Sequence, residues 1–285
     1  MTVIYEGIDF ANQQRNVGYC YVVDDGRTLR VLLEHPEKGE IRRRAVDCPL
    51  GVGAGFSRLL VGDLTNDHGN DGYKTRYTER WLRAQVPGYQ TNQRWLGRNA
   101  DERREFPRAS YFNGGSHVQP AAGLQIVPAC LDWLLRELAL DLPPEDRLAA
   151  AAAARRGEAT VIEAHPRMFL YSAIERLYHH NNELISISTL NDVADYKDKG
   201  KTSHEDRRGR VYRFLQRNFG WTGQNPRTLE PAEPPDVLLA TDHKFDAWLC
   251  ALTAWAHENH ETVMWLAAGI PHDVVHIEGH ILILK

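Results

Sequence analysis

The strongest restriction on the fold is the density of β-favouring residues in the first 33 positions, divided by turn signals too short to hold anything but tight connections. Thr2 to Ala11 (TVIYEGIDFA) is rich in β-branched and aromatic side chains, and a polar turn follows over 12–16. Gly18 to Val23 (GYCYVV) is a second such run, Asp24-Asp25-Gly26 is a turn signal, and Thr28 to Leu33 alternates into a third. Short connections leave no room for a crossover, so the three strands are expected as an antiparallel meander. After the charged stretch Pro36 to Arg44, Ala45 to Leu50 (AVDCPL) reads as a fourth strand, closed by Pro49 and Gly51 and carrying Asp47.

Beyond residue 50 the character changes. The region 51–119 is rich in Gly, Asn and Arg, with one helix signal at Thr75 to Ala84, and reads as an insertion after strand four, a lid or a partner surface. Helical spacing over Leu124 to Leu140 and a Pro-initiated helix from Pro143 to Arg156 follow. Glu158 to Glu163 (EATVIE) is a fifth strand, ended by His165-Pro166 and followed by a helix from Met168 to Tyr178. A helix over Val211 to Phe219, a proline-rich linker from Pro226 to Pro235, a long helix over Val237 to Glu258 and a strand-like tail over Val274 to Leu284 complete the expected order. The class is α/β, with helices flanking a sheet in one domain over 1–285.

Composition removes whole classes of function. With 34 basic against 38 acidic residues the net charge is −4, so no global positive field is present and any nucleic-acid contact must use local patches. The four cysteines (Cys20, Cys48, Cys130, Cys250) contain no C-x-x-C pair and read as reduced and buried. The first residues lack a cationic and a long apolar region, and no stretch nears the roughly 18 apolar residues that cross a bilayer. A cytoplasmic protein without membrane contact is expected. G-x-S-x-G, G-x-x-x-x-G-K-[ST] and G-x-G-x-x-G are all missing, the Asp63, Asp67, Asp71 loop lacks EF-hand spacing, and the histidines at 257, 260, 272, 276 and 280 lack convergent cysteines.

What remains is a set of carboxylates at the ends of elements. Asp9 lies between Ile8 and Phe10 near the end of strand one, Asp47 in strand four and Glu163 at the end of strand five. Asp242 and Asp246 are at i and i+4, and hence on one face, of the last long helix. An aspartate in an apolar strand is rarely buried without a partner, so Asp9 stands out. If strands one and four are neighbours, these groups converge and hold divalent ions of the kind that activate water and stabilise the leaving oxygen in phosphodiester hydrolysis. Hard oxygen ligands suit Mg²⁺ or Mn²⁺. Asp9, Asp47, Glu163, Asp242 and Asp246 are therefore the candidate catalytic residues.

The strings GIDFA, VDCPLG, EAHPR, KGKTSHEDRRGRVYRFL and DHKFDAWLCALTAWA occur in that order over nearly the whole chain. Together they resemble a domain-of-unknown-function family of predicted RNase H-fold nucleases. Within that wider RNase H-like superfamily the Asp242 to Ala247 segment is similar to the last helix of RuvC-type resolvases, whose acids complete a metal site. The resemblance implies an RNase H-like fold, a mixed five-stranded sheet antiparallel over strands 1–3 and parallel thereafter, with Asp9, Asp47 and Asp246 as metal ligands and Glu163 and Asp242 as further ligands or proton shuttles.

An acidic chain that binds nucleic acid, DNA or RNA, needs cationic strips beside its metal site. One candidate is Lys199 to Arg213, with Lys199, Lys201, Arg207, Arg208 and Arg210, inside the stretch 197–217 that holds eight basic against three acidic residues. The other is Arg94 to Arg108, with Arg103 and Arg104 among five arginines and with Trp95 and Phe106 as stacking surfaces. Three readings compete: a metal-dependent nuclease (a hydrolase), a non-catalytic nucleic-acid or protein binding module on the same fold, and an actin-like ATP phosphotransferase. The last is disfavoured because Phe10, Ala11 and Asn12 follow Asp9 where phosphate-wrapping Gly and Thr are expected.

Overall fold

The computed structural model describes residues 2–9, 17–37, 39–47, 161–166, 169–170, 172–173, 192–193, 196–197, 203–218, 226–259, 262–265 and 281–284. The 51–119 insertion, the helices expected between 75 and 156, Cys48, Cys130, Arg103, Arg104, Lys199 and Lys201 lie outside the described residues.

The N-terminal β-rich runs form the expected meander. Strand β1 (Val3–Asp9) pairs antiparallel with β2 (Gly18–Asp24), and β2 with β3 (Thr28–Leu32). Asp25 closes the second turn: its carboxylate accepts from the N–H groups of Arg27 and Thr28, each at 2.8 Å, and Gly26 supplies the positive φ. Strand β4 (Ile41–Asp47) lies parallel to β1, in a register that sets Asp9 beside Asp47. Strand β5 (Val161–Glu163) adds parallel to β4.

Among the described residues the sheet has six strands, not five, in the order β5-β4-β1-β2-β3-β6. The sixth, β6 (Thr228–Glu230), comes from the proline-rich stretch expected to be a linker and pairs parallel with β3. Its prolines fall at 226 and 231, just outside the three pairing residues, so they remove no ladder donor. Strand four also departs from expectation, since it begins at Ile41 and takes in Arg42, Arg43 and Arg44. Those arginines are held by carboxylates: Arg42 and Arg43 donate to the two oxygens of Glu258, and Arg44 to Glu6. Pro166, expected only to break strand five, stands in the first turn of a helical segment whose Phe169 N–H reaches the His165 carbonyl at 3.1 Å.

Helix α1 (Ser203–Asn218) starts eight residues before the apolar spacing predicts, with Glu205 and Asp206 in the first turn, where the helix dipole favours acids. The last long helix divides at Thr241 into a single turn α2 (Asp236–Leu239) and α3 (Asp242–Glu258). Thr241 has extended backbone angles, and its hydroxyl accepts the Lys244 N–H at 3.2 Å, an N-cap that begins a new helix. Strand β7 (Thr262–Trp265), not foreseen from the residues, pairs antiparallel with β8 (Ile281–Leu284) in a separate two-stranded sheet.

Helix α3 occupies the centre of the core. Every residue from Phe245 to Ala256 is buried, and the helix crosses β1, β2 and β4. Two glycines let its backbone touch the sheet. A Cβ on Gly7 would overlap the Ala247 carbonyl and the Ala251 nitrogen, and one on Gly18 would overlap the His243 carbonyl. Only hydrogen fits at either place, so the approach of α3 to β1 and β2 is written in Gly7 and Gly18. Phe245 and Trp248 of the helix pack against each other and against Tyr196 and Tyr212, with Tyr212 and Trp248 stacked at 4.8 Å between centroids.

Candidate metal centre

Three elements each deliver one aspartate to the same place. Asp9 ends β1 and Asp47 ends β4, side by side because parallel neighbours in register end together. Asp246 sits in the second turn of α3, held over the strand ends by the Gly7 and Gly18 contacts. One oxygen from each of the three carboxylates lies within 4.8 Å of the other two. Asp9 is 8% and Asp246 2% exposed, too little for water to neutralise their charges.

The surrounding groups compensate part of that charge. Nδ1 of His243 lies 2.5 Å from Asp9 Oδ2. The Tyr196 hydroxyl donates to Asp246 Oδ1 at 2.7 Å. Nζ of Lys197 lies 2.5 Å from Asp246 Oδ2 and 3.7 Å from Asp47 Oδ2. Two unit charges 4 Å apart interact by about 4 kcal/mol at the effective dielectric near a protein surface, so one ammonium and one imidazole do not relieve three adjacent acids.

The titration behaviour follows from that imbalance. Burial raises the Asp9 carboxyl to about 6; the His243 hydrogen bond opposes this, Asp246 adds to it, and the charges of Lys197 and His243 pull it down. Burial likewise lifts Asp47 well above the usual carboxylate range, with Lys197 opposing and Asp9, Asp246 and Glu163 adding. The His243 imidazole is raised from its ordinary value by its bond to Asp9, against the opposing effect of burial. One turn along α3, burial and then the three aspartates push the Cys250 thiol well up, so it stays a thiol.

The donor set fits a hard divalent cation. It consists of carboxylate oxygens alone, which Asp9, Asp47 and Asp246 would present to Mg²⁺ or Mn²⁺. Neither cysteine nor a histidine belongs to the trio, which argues against a zinc site.

The remaining candidates are distributed as follows. Glu163 is buried at the end of β5, beside β4, and its charge is felt by Asp47, so it belongs to the edge of the cluster. Asp242 stands in the first turn of α3 outside the trio, with its charge acting on Arg208 and His243. Arg208, expected on a phosphate-binding strip, is buried and ties elements together: it donates to the Leu239 carbonyl at 2.6 Å and the Tyr196 carbonyl at 3.1 Å. Arg210 is exposed and forms a two-bond pair with Asp192, both at 2.7 Å. Arg207 is partly exposed on α1.

Sequence reasoning passed over three side chains at the centre: Tyr196, Lys197 and His243. His243 lies inside the DHKFDA string, and its place in the first turn of α3 beside a recognised acid was a usable signal. Lys197 entered only a charge tally, and Tyr196 carried no signal, because its role depends on the tertiary meeting of distant segments. In comparisons with known proteins, no family model, no curated protein and no solved structure matches the chain.

Proposed function

We propose that this chain is a metal-dependent phosphodiesterase acting on nucleic acid, with Asp9, Asp47 and Asp246 as ligands of Mg²⁺ or Mn²⁺. The observation that carries the reading is the meeting of three carboxylates, two buried and that of Asp47 half-buried, from two parallel strand ends and a central helix, within 4.8 Å of one another. A fold keeps such a repulsive group only against a cost in stability, and a cation is what offsets it. The mixed sheet, with a meander followed by parallel strands, agrees with the RNase H-like architecture that the motif order implies.

A bound divalent ion supplies Lewis-acid charge and an activated water at this point. The chain supplies the rest. Tyr196 orients Asp246 through Oδ1, and His243 fixes Asp9 through Oδ2, where Nδ1 can exchange a proton with the carboxylate. Glu163, whose charge acts on Asp47, and Asp242, whose charge acts on His243, are the proposed outer ligands or proton carriers. Arg207 and Arg210, with Lys199, Lys201, Arg103 and Arg104, are the proposed phosphate contacts; Arg208 drops out because its guanidinium holds backbone carbonyls.

The test is cleavage of labelled single- and double-stranded DNA and RNA in Mn²⁺, Mg²⁺ or EDTA, with Asp246→Asn and Asp9→Asn beside wild type. Metal charge stabilisation amounts to several kcal/mol, so each variant is expected to lose at least about 100-fold in rate. Cleavage that survives EDTA or Asp246→Asn overturns the reading. Nucleic-acid binding without cleavage, unaffected by EDTA and by Asp9→Asn, establishes a binding module instead.

A further inference from the structure

Lys197 already occupies the charge that a metal ion would use. Its ammonium sits on the Oδ2 side of Asp246, 2.5 Å from that oxygen and 3.7 Å from Asp47 Oδ2, while Tyr196 takes Oδ1. Both oxygens of Asp246 are thus engaged by side chains from one dipeptide. The two residues differ in freedom: Tyr196 is fully buried, whereas the Lys197 side chain is 26% exposed and has a path to water.

We propose that Lys197 is the resident counter-ion of the acid cluster and that a divalent cation enters by displacing its ammonium towards solvent. The inference rests on the metal reading above and adds how the site exchanges cations. An ammonium has no lone pair and cannot ligate a metal, so the two cations meet only as like charges beside the same oxygens. Tyr196, anchored in the core, is not expected to move; the long lysine stem is. The exchange leaves the chain folded without metal, because the aspartates keep a partial counter-charge. It also leaves a tethered cation beside the occupied site, in reach of an incoming phosphate.

The experiment is calorimetric titration of Mn²⁺ into metal-stripped wild type and Lys197→Gln, together with lysine acetylation of the wild type in EDTA and in saturating Mn²⁺, read by peptide mass mapping. Displacement predicts that Lys197→Gln binds Mn²⁺ at least about tenfold more tightly, the scale of one close charge repulsion removed in a partly solvated site. It also predicts that the metal-free variant melts below wild type, and that Mn²⁺ speeds acetylation of Lys197. Equal or weaker Mn²⁺ binding by the variant overturns the inference while the metal reading stands. If Lys197→Gln does not fold, the wild-type labelling decides alone: acetylation unchanged or slowed by Mn²⁺ that binds overturns it. If wild type takes up no Mn²⁺, the metal reading fails first and the inference with it.

Discussion

Asp24 and Asp9 stand at opposite ends of the same strand pair, β1 with β2, and both are buried, yet they live in opposite chemical company. Asp24 is surrounded by donors: Trp255 Nε1 to Oδ2 at 2.9 Å, Arg227 Nε to Oδ1 at 2.9 Å and the Gly26 N–H to Oδ1 at 2.7 Å. Asp9 has His243 on one oxygen and faces Asp47 and Asp246. Helix α3 serves both ends, sending Trp255 to one and Asp246 to the other. Burial of an aspartate therefore separates nothing by itself. What distinguishes a structural acid from a candidate ligand is whether donors or other acids surround it.

The contrast is open to direct attack. Gly7 lies between the two ends and seats α3 for both, so Gly7→Ala is expected to have the largest effect, a loss of about 4 kcal/mol or more, because a methyl there meets backbone on the facing helix. Thermal melting within a degree or two of wild type for that variant would show that the helix does not rest on β1 as described. Asp24→Asn comes next. It leaves Arg227 and Trp255 facing an amide, and a loss of about 3 kcal/mol in chemical denaturation is expected. Asp9→Asn, measured in EDTA at pH 7.5, should instead melt at or above wild type, since it removes a crowded charge. Equal destabilisation by both substitutions would erase the distinction between the two ends.

The third effect is smaller and depends on pH. Asp9 titrates near 6 when folded against about 4 when unfolded. Between those values the folded protein holds a proton that the unfolded chain has released, so metal-free stability falls as pH rises through this window. The raised His243 works in the same direction, because its stabilising charge is lost as pH rises through its folded value. Relative to Asp9→Asn, wild type in EDTA should lose on the order of 2 kcal/mol between pH 4 and pH 7, and a parallel pair of pH profiles would contradict the assignment.

Much of this arrangement was legible in the residues, for reasons that differ by element. The meander could be read because its connections are too short for any other pairing, and the trio because Asp9 between Ile8 and Phe10 is anomalous and Asp47 and Asp246 likewise stand near the ends of apolar elements. The sixth strand escaped because three residues between prolines carry too little periodicity, and their pairing with β3 is decided by the fold. The arginines of β4 read as loop because the carboxylates of Glu6 and Glu258 that absorb them lie elsewhere in the sequence. Asp24 illustrates the same limit from the other side. As part of Asp-Asp-Gly it reads as a turn former, and nothing local announces Trp255 or Arg227.

The Gly7 and Gly18 contacts also constrain how the molecule is made. Asp9 and the surface that receives α3 are synthesised more than 200 residues before Asp246 and the helix backbone that fills it. Contacts so distant in sequence form late, since the entropy of closing so long a loop is lost before the contacts repay it. A nascent chain carrying β1 to β5 holds two of the three aspartates and an open trough where α3 belongs. The centre is completed by the same event that closes the core, which ties any cation affinity of the site to finished folding and leaves half-made chains without it.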